Sequence, residues 1–227
     1  MRARRIVGGT LAAIAVLLLV GLGVWQIERR AWKLALIEQV ERRLAAAPVA
    51  APGPSAWPAI GSDAAYTRVQ IRGRFLPNRD SYVQAVTSLG GGFWLLTPLR
   101  SDAGWSVLVN RGFVPADQRG RIAPPDAAPV TVSGLLRTTE PKGGFLRRND
   151  PAQDRWYSRD VQAIAARHRL GRVAPYFIDA DRTGAGWPRG GMTVVRFPNS
   201  HLVYALTWFG LAGMVVALTI IARRRGR

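Results

Sequence analysis

The chain has 227 residues, 48% of them hydrophobic, and its 32 basic residues against 14 acidic ones leave a net charge of +18. It has no cysteine, which excludes a disulfide framework, a zinc–thiolate site, a thiol nucleophile and thiolate ligation of copper or haem. With two histidines in the whole chain, imidazole chemistry is confined to His168 and His201.

The first predicted element is a membrane span. Ile6–Ile27 is 22 residues without a charge, and a bilayer core about 30 Å thick needs roughly 20 apolar helical residues. Arg2, Arg4 and Arg5 before it resemble the basic start of a signal peptide. The apolar run exceeds the roughly 7–15 residues of a signal core, however, and "WQIERRAWK" rather than a small-x-small site follows. An uncleaved anchor is expected, preceded by a short cytoplasmic segment at residues 1–5.

Residues 28–47 continue the span as a juxtamembrane helix, with Leu36, Val40 and Leu44 at helical spacing and Glu38 to Arg42 as an i,i+4 pair. Pro48, Pro52, Pro54 and Pro58 then break it, and residues 48–62 read as a Pro/Ala-rich linker. A domain over 63–201 follows. In "RVQIRGRF", Val69, Ile71 and Phe75 alternate with arginines and glutamine, the period-two pattern of a half-buried strand. Further strands are expected at "SYVQAV", "FWLLTPL", "SVLVNRGFV", "VTVSGLL", "PYFIDA" and "TVVRF". "SRDVQAIAARHRLG" is a helix, with Ser158 as N-cap and Gly171 as stop.

A second span, Leu202–Ala222, is 21 residues long and leads into the Arg-rich tail at 223–227. Arginines at both termini put both ends in the cytoplasm by the positive-inside rule, although Arg29, Arg30 and Lys33 argue the other way. Residues 28–201 then lie outside, in a periplasm if the source is a Gram-negative bacterium, with 25 basic and 14 acidic residues and a charge of +11. Nucleic acid is excluded as a partner by that location. The expected fold class is a membrane protein whose two terminal transmembrane helices flank an extramembrane α+β domain. Antiparallel strands dominate that domain, in a barrel- or sandwich-like arrangement.

No reaction rises from the domain. His168 lies between Arg167 and Arg169, and no G-x-S-x-G motif supports a serine triad around it, so a membrane-tethered hydrolase depends on His168 alone. "DADRTG" at 179–184 opens like a calcium loop but has Gly190 where the bidentate glutamate belongs, so it reads as a turn. "GGGF" at 90–93 lacks the Lys-Ser/Thr of a phosphate loop.

The remaining signal lies at the membrane. Trp25 and Gln26 close the first span; His201 opens the second, with Tyr204 and Trp208 at i+3 and i+7 on one helix face. Gln26 and His201 are expected at similar depth. An aromatic belt accounts for Trp25, Tyr204 and Trp208. The histidine is less typical of a belt, and a neutral imidazole there suits axial ligation of haem iron. Both readings stand on the residues alone.

The segments "GVWQIERRAWK" (23–33), "GFWLLTPL" (92–99), "VLVNRGFVP" (107–115), "VTVSGLLR" (130–137) and "NSHLVYALTWFGLA" (199–212) occur in this order between two terminal spans. In that combination the chain resembles the Surfeit-locus-one family of cytochrome c oxidase assembly factors. The resemblance implies a bacterial inner-membrane protein of respiratory-chain biogenesis that is not an enzyme and that helps haem a reach oxidase subunit I. His201 carries the family's proposed axial ligand to the haem iron, and Tyr204, Trp208, Trp25 and Gln26 are the other candidate cofactor contacts. Asn199 matches the first of two family asparagines, while Ser200 stands at the second. Implied partners are the bilayer, subunit I and, as a further candidate, haem a synthase. The alternative is a scaffold that docks to and stabilises the nascent oxidase without binding cofactor. For "NRGFVP" an architectural account suffices: Gly112 and Pro115 shape a strand end, and Arg111 is expected to pair with a buried carboxylate.

Overall fold

The computed structural model describes residues 2–126, 128–144, 146–182, 184–193 and 199–225. The chain divides into two compact units, Met1–Glu41 with Val195–Arg227, and Arg42–Val194.

The first unit is a helix pair. α1 runs unbroken over Arg2–Ala45, because no proline occurs before Pro48, and α3 covers His201–Arg225. Both are long and apolar enough to cross a membrane. Less exposed positions on α1 recur as Ala12, Val16, Leu19, Gly23 and Gln26; on α3 they recur as His201, Ala205, Trp208, Ala212, Val215 and Thr219. Steps of four and three alternate in both rows, the seam expected where two helices pack at a shallow angle. Small residues let the backbones approach. At Gly23 the approach is close: a Cβ there would fall 2.5 Å from Cε1 of Phe209.

The second unit is a closed barrel. Its strands are β1 (Val49–Ala50), β2 (Arg68–Phe75), β3 (Ser81–Thr87), β4 (Gly90–Ser101), β5 (Ser106–Pro115), β6 (Val130–Thr138) and β7 (Val173–Ala180). They lie in the order β1-β2-β6-β7-β5-β4-β3, and an additional β2–β4 pairing closes the five strands β2, β6, β7, β5 and β4 on themselves. Closure removes the free edges of those five strands. Most pairs are antiparallel, whereas β1–β2 and β5–β7 are parallel.

Alternation along the strands sorts the core into two layers. Val69, Ile71, Val107, Val109, Val132, Leu136, Tyr176 and Ile178 form one buried cluster, the barrel interior. Leu108 and Phe177, the out-of-phase neighbours, join Val161, Ile164 and Ala165 of α2 (Val161–Arg167) in the other. With both faces covered, "VLV" of β5 reads as a continuous apolar run rather than an alternating one. The N-cap of α2 is Asp160, whose side chain accepts from Ala163 N–H at 3.1 Å. Ser158, expected in that role, instead donates to the Glu140 carbonyl at 2.6 Å.

Residues 48–62 are no linker. Val49 and Ala50 pair with Val69 and Gln70, Trp57 and Ile60 pack against the barrel core, and Tyr176 Oη donates to Pro52 O at 2.7 Å. Prolines interrupt helix but not extended or 3₁₀ backbone, so this stretch packs wherever it carries apolar area. The compact unit accordingly begins near Arg42 rather than at residue 63. Of the late strand expected at "TVVRF", all but Thr193 lies outside the described residues.

Candidate functional site

At the head of the helix pair the seam turns polar. Gln26 is 9% exposed, and its Oε1 lies 2.7 Å from Nδ1 of His201. An amide oxygen only accepts, so Nδ1 carries the proton and donates. In the neutral imidazole this arrangement leaves the lone pair on Nε2, to which no hydrogen bond is made among the described residues. A second polar atom sits unpaired nearby in the chain: Oδ1 of Asn199 is buried and has no donor among the described residues.

The five residues singled out from the sequence divide in two. His201, Gln26 and Trp208 lie on the seam, His201 and Trp208 half-buried. Trp25 and Tyr204 do not; they are 52% and 54% exposed. Tyr204 lies on the exposed side of the His201 face. A helix turns about 100° per residue, so i+3 falls some 60° to one side of the starting residue and i+4 about 40° to the other. The seam follows the i+4 step from His201 to Ala205, which is fully buried. Trp25 and Tyr204 are thus belt-like positions, as is Trp32, over which the Arg29 guanidinium stacks at 4.1 Å.

The other histidine is built into the fold. His168 is half-buried and shares a 2.8 Å hydrogen bond between Nε2 and Oγ of Ser81, which is fully buried. Burial pushes the His168 pKa down; Arg167 and Arg79 add to this, while Asp154 and Asp80 oppose it. A serine with no exposed surface cannot meet a substrate, so this Ser–His contact is a clamp and not a nucleophile with its base.

The "NRGFVP" segment divides residue by residue. Asn110 donates through Nδ2 to Asp179 at 2.7 Å and accepts from Gly112 N–H at 3.1 Å. Gly112 has φ +132°, and a Cβ there would collide with the Arg189 carbonyl, where Phe113 pairs with Arg189. Asp179, the first residue of "DADRTG", is a buried hub rather than part of a turn. It accepts from Asn110, Arg137 at 3.0 Å, Thr193 at 2.8 Å and Arg159 at 3.4 Å. Burial depresses the Arg159 pKa, but Glu140 and Asp179 outweigh it and raise the guanidinium overall. The carboxylate expected as partner for Arg111 is therefore already taken by its neighbours.

The model of the SURF1 family matches residues 13–213. The chain belongs to the SURF1 family. Among its relatives, "Surfeit locus protein 1" of Mus musculus is 36% identical over 216 residues, covering 84% of this chain and 67% of the relative. The Homo sapiens protein of the same name is 36% identical over 218 residues, 85% and 69% of the two chains. A "SURF1-like protein" of Monosiga brevicollis is 33% identical over 224 residues, 91% and 84%. Gln26 and His201 both fall inside the stretch matched by the SURF1 family, so the bonded pair lies within the family region rather than in an appended segment.

Proposed function

We propose that this chain is a cytochrome c oxidase assembly factor that holds haem a through His201 at the outer face of a bacterial inner membrane and assists its delivery to oxidase subunit I. The observation that carries the reading is the Gln26–His201 hydrogen bond, which commits Nδ1 and leaves Nε2 as the ligating atom. A histidine serving only as an interfacial anchor needs no such orientation. The donor set fits the group: one neutral imidazole is a sufficient protein ligand for haem iron, and no thiolate is required. Haem a, when bound, supplies the iron and the macrocycle that the oxidase uses.

The chain's own residues supply position. Gln26 fixes the imidazole plane and tautomer, and Trp208, one seam step past Ala205, offers an aromatic face. Trp25 and Tyr204 extend the apolar surroundings from their exposed positions. Both termini lie in the cytoplasm and the barrel in the periplasm, as the terminal arginines favour.

The test is oxidase assembly in a strain lacking the endogenous protein. Wild-type chain should restore haem-a-loaded oxidase in membranes, His168→Ala should restore it to the extent that the barrel folds, and His201→Ala should leave it low with normal chain abundance. Full restoration by His201→Ala would favour the scaffold, which docks to the oxidase without holding cofactor.

A further inference from the structure

The two ends of the barrel are finished differently. At one end Trp57 and Trp105 meet edge to face at 5.7 Å, and Tyr176 Oη is tied to Pro52 O. At the other, a cavity of about 430 Å³ is lined by Phe75, Val109, Arg111, Ser133, Asp181 and Trp187 among others. That volume is in the range of small-molecule sites, roughly 300–1,000 Å³. Along β5, Val107 and Val109 face the interior; Arg111, the bulged residue between Asn110 and Gly112, joins Val109 in the lining, so a guanidinium stands in an otherwise largely apolar mouth.

Among the described residues that guanidinium is not fully hydrogen-bonded. Nη1 of Arg111 is buried and has no hydrogen-bond partner among the described residues. Asp181 pairs with Arg68 at 2.5 Å, and Asp80, which accepts from Thr97, acts on Arg111 through its field rather than through a hydrogen bond or ion pair. Contact with the Phe75 ring, 5.7 Å away, is the one ring interaction the guanidinium makes among the described residues. Desolvation lowers the Arg111 pKa, and the fields of Asp80 and Tyr82 do not offset it. A fold that wanted only a filled mouth would gain from a residue of the same volume without the charge.

We propose that the open mouth of the barrel is a binding site for an oxyanion on an apolar body, a carboxylate above all, which seats on the Arg111 guanidinium. The planar fork matches a carboxylate with two parallel N–H···O bonds. Phe75, Val109 and Trp187 give the walls an apolar body needs, and the Ser133 hydroxyl is a further donor. Of the "NRGFVP" segment, Asn110 and Gly112 build the strand end, while Arg111 is held for a ligand. This site lies wholly within the barrel unit and is independent of the reading of His201.

The experiment is calorimetric titration of the full chain in lipid nanodiscs, with empty nanodiscs as blank. The probes are benzoate, its uncharged analogue benzamide, and inorganic phosphate. Benzoate should bind at one site per chain, with benzamide and phosphate each at least about tenfold weaker, the one lacking the charge and the other the apolar body. Arg111→Lys, which keeps the charge but not the fork, should weaken benzoate by about tenfold, and Arg111→Met should abolish binding. Without ligand, Arg111→Met should raise the melting temperature of the barrel, because an uncompensated charge is removed. Equal binding of benzamide, tighter binding of phosphate, or no benzoate binding by the wild type would each overturn the proposal. So would a fall in melting temperature in Arg111→Met, which would return Arg111 to the architecture of the strand end.

Discussion

The chain's two histidines stand in opposite surroundings. In the barrel unit His168 spends Nε2 on a buried serine, and the large buried carboxylate hub, Asp179, has four donors on its two oxygens. In the helix pair His201 spends Nδ1 on Gln26, while its Nε2 and the buried Oδ1 of Asn199 have no partner among the described residues. A buried polar group left without a partner costs stability, so a fold that pairs Asp179 four times over can evidently pair what it needs to. In the barrel, Nη1 of Arg111 is likewise buried without a hydrogen-bond partner among the described residues, while its guanidinium lies over the Phe75 ring.

The comparison breaks most visibly at Asp179. Asp179→Ala strands Arg137 and Arg159, which are largely buried, and should cost the barrel about 3–5 kcal/mol in denaturant unfolding. A loss under about 1 kcal/mol would show that the hub is not the anchor described here. His168→Ala should cost less, about 2 kcal/mol, by leaving the Ser81 hydroxyl without its partner, and should leave any haem spectrum of the full chain unchanged.

The same clamp predicts a pH dependence. Folded His168 holds its proton less readily than the unfolded residue, whose pKa is about 6.5. The unfolded chain therefore binds more protons over the window below about 6.5. Stability is fully present above that value and is lost as pH falls toward the folded pKa. Unfolding free energies measured from pH 7.5 to 5 should show this loss in the wild type and a shallower one in His168→Gln; identical slopes would remove His168 as the cause. Gln26→Leu should have the smallest effect on stability, at most about 1 kcal/mol for one interhelical hydrogen bond. Its effect on a ligand should be larger, a 10–100-fold loss of haem affinity as the imidazole loses its orientation. Unchanged affinity would show that Gln26 is packing.

Much of this was legible in the sequence because it depends on short-range periodicity. The two spans follow from unbroken apolar runs, and their lengths place Gln26 and His201 at one depth, where they are found bonded. Val69 and Ile71 alternate as a strand must, and both are buried in the barrel. What escaped depends on long-range register. The parallel β5–β7 pairing sets Asn110 opposite Asp179, 69 residues away, and no local pattern announces that. For Arg111 the sequence leads to the expectation of a buried carboxylate partner, whereas the buried carboxylate of Asp179 is engaged by Asn110, Arg137, Arg159 and Thr193, which only the long-range register reveals. The proline count at 48–62 hid Trp57 and Ile60, whose apolar area outweighs the breaks between them. Spacing puts Tyr204 on the His201 face but does not say on which side of it the neighbouring helix packs, and that side is Ala205's.

In the proposed function, Nε2 of His201 is the atom that ligates haem iron. The absorbance spectrum of the full chain purified from cells that make haem a tests it most directly, on wild type, His201→Ala, and His201→Gly with and without added imidazole. The account predicts a Soret band in the wild type, its loss in His201→Ala with the protein still in the membrane, and its return in His201→Gly when imidazole fills the vacated place. Full haem retention by His201→Ala would contradict it and return the histidine to the aromatic belt.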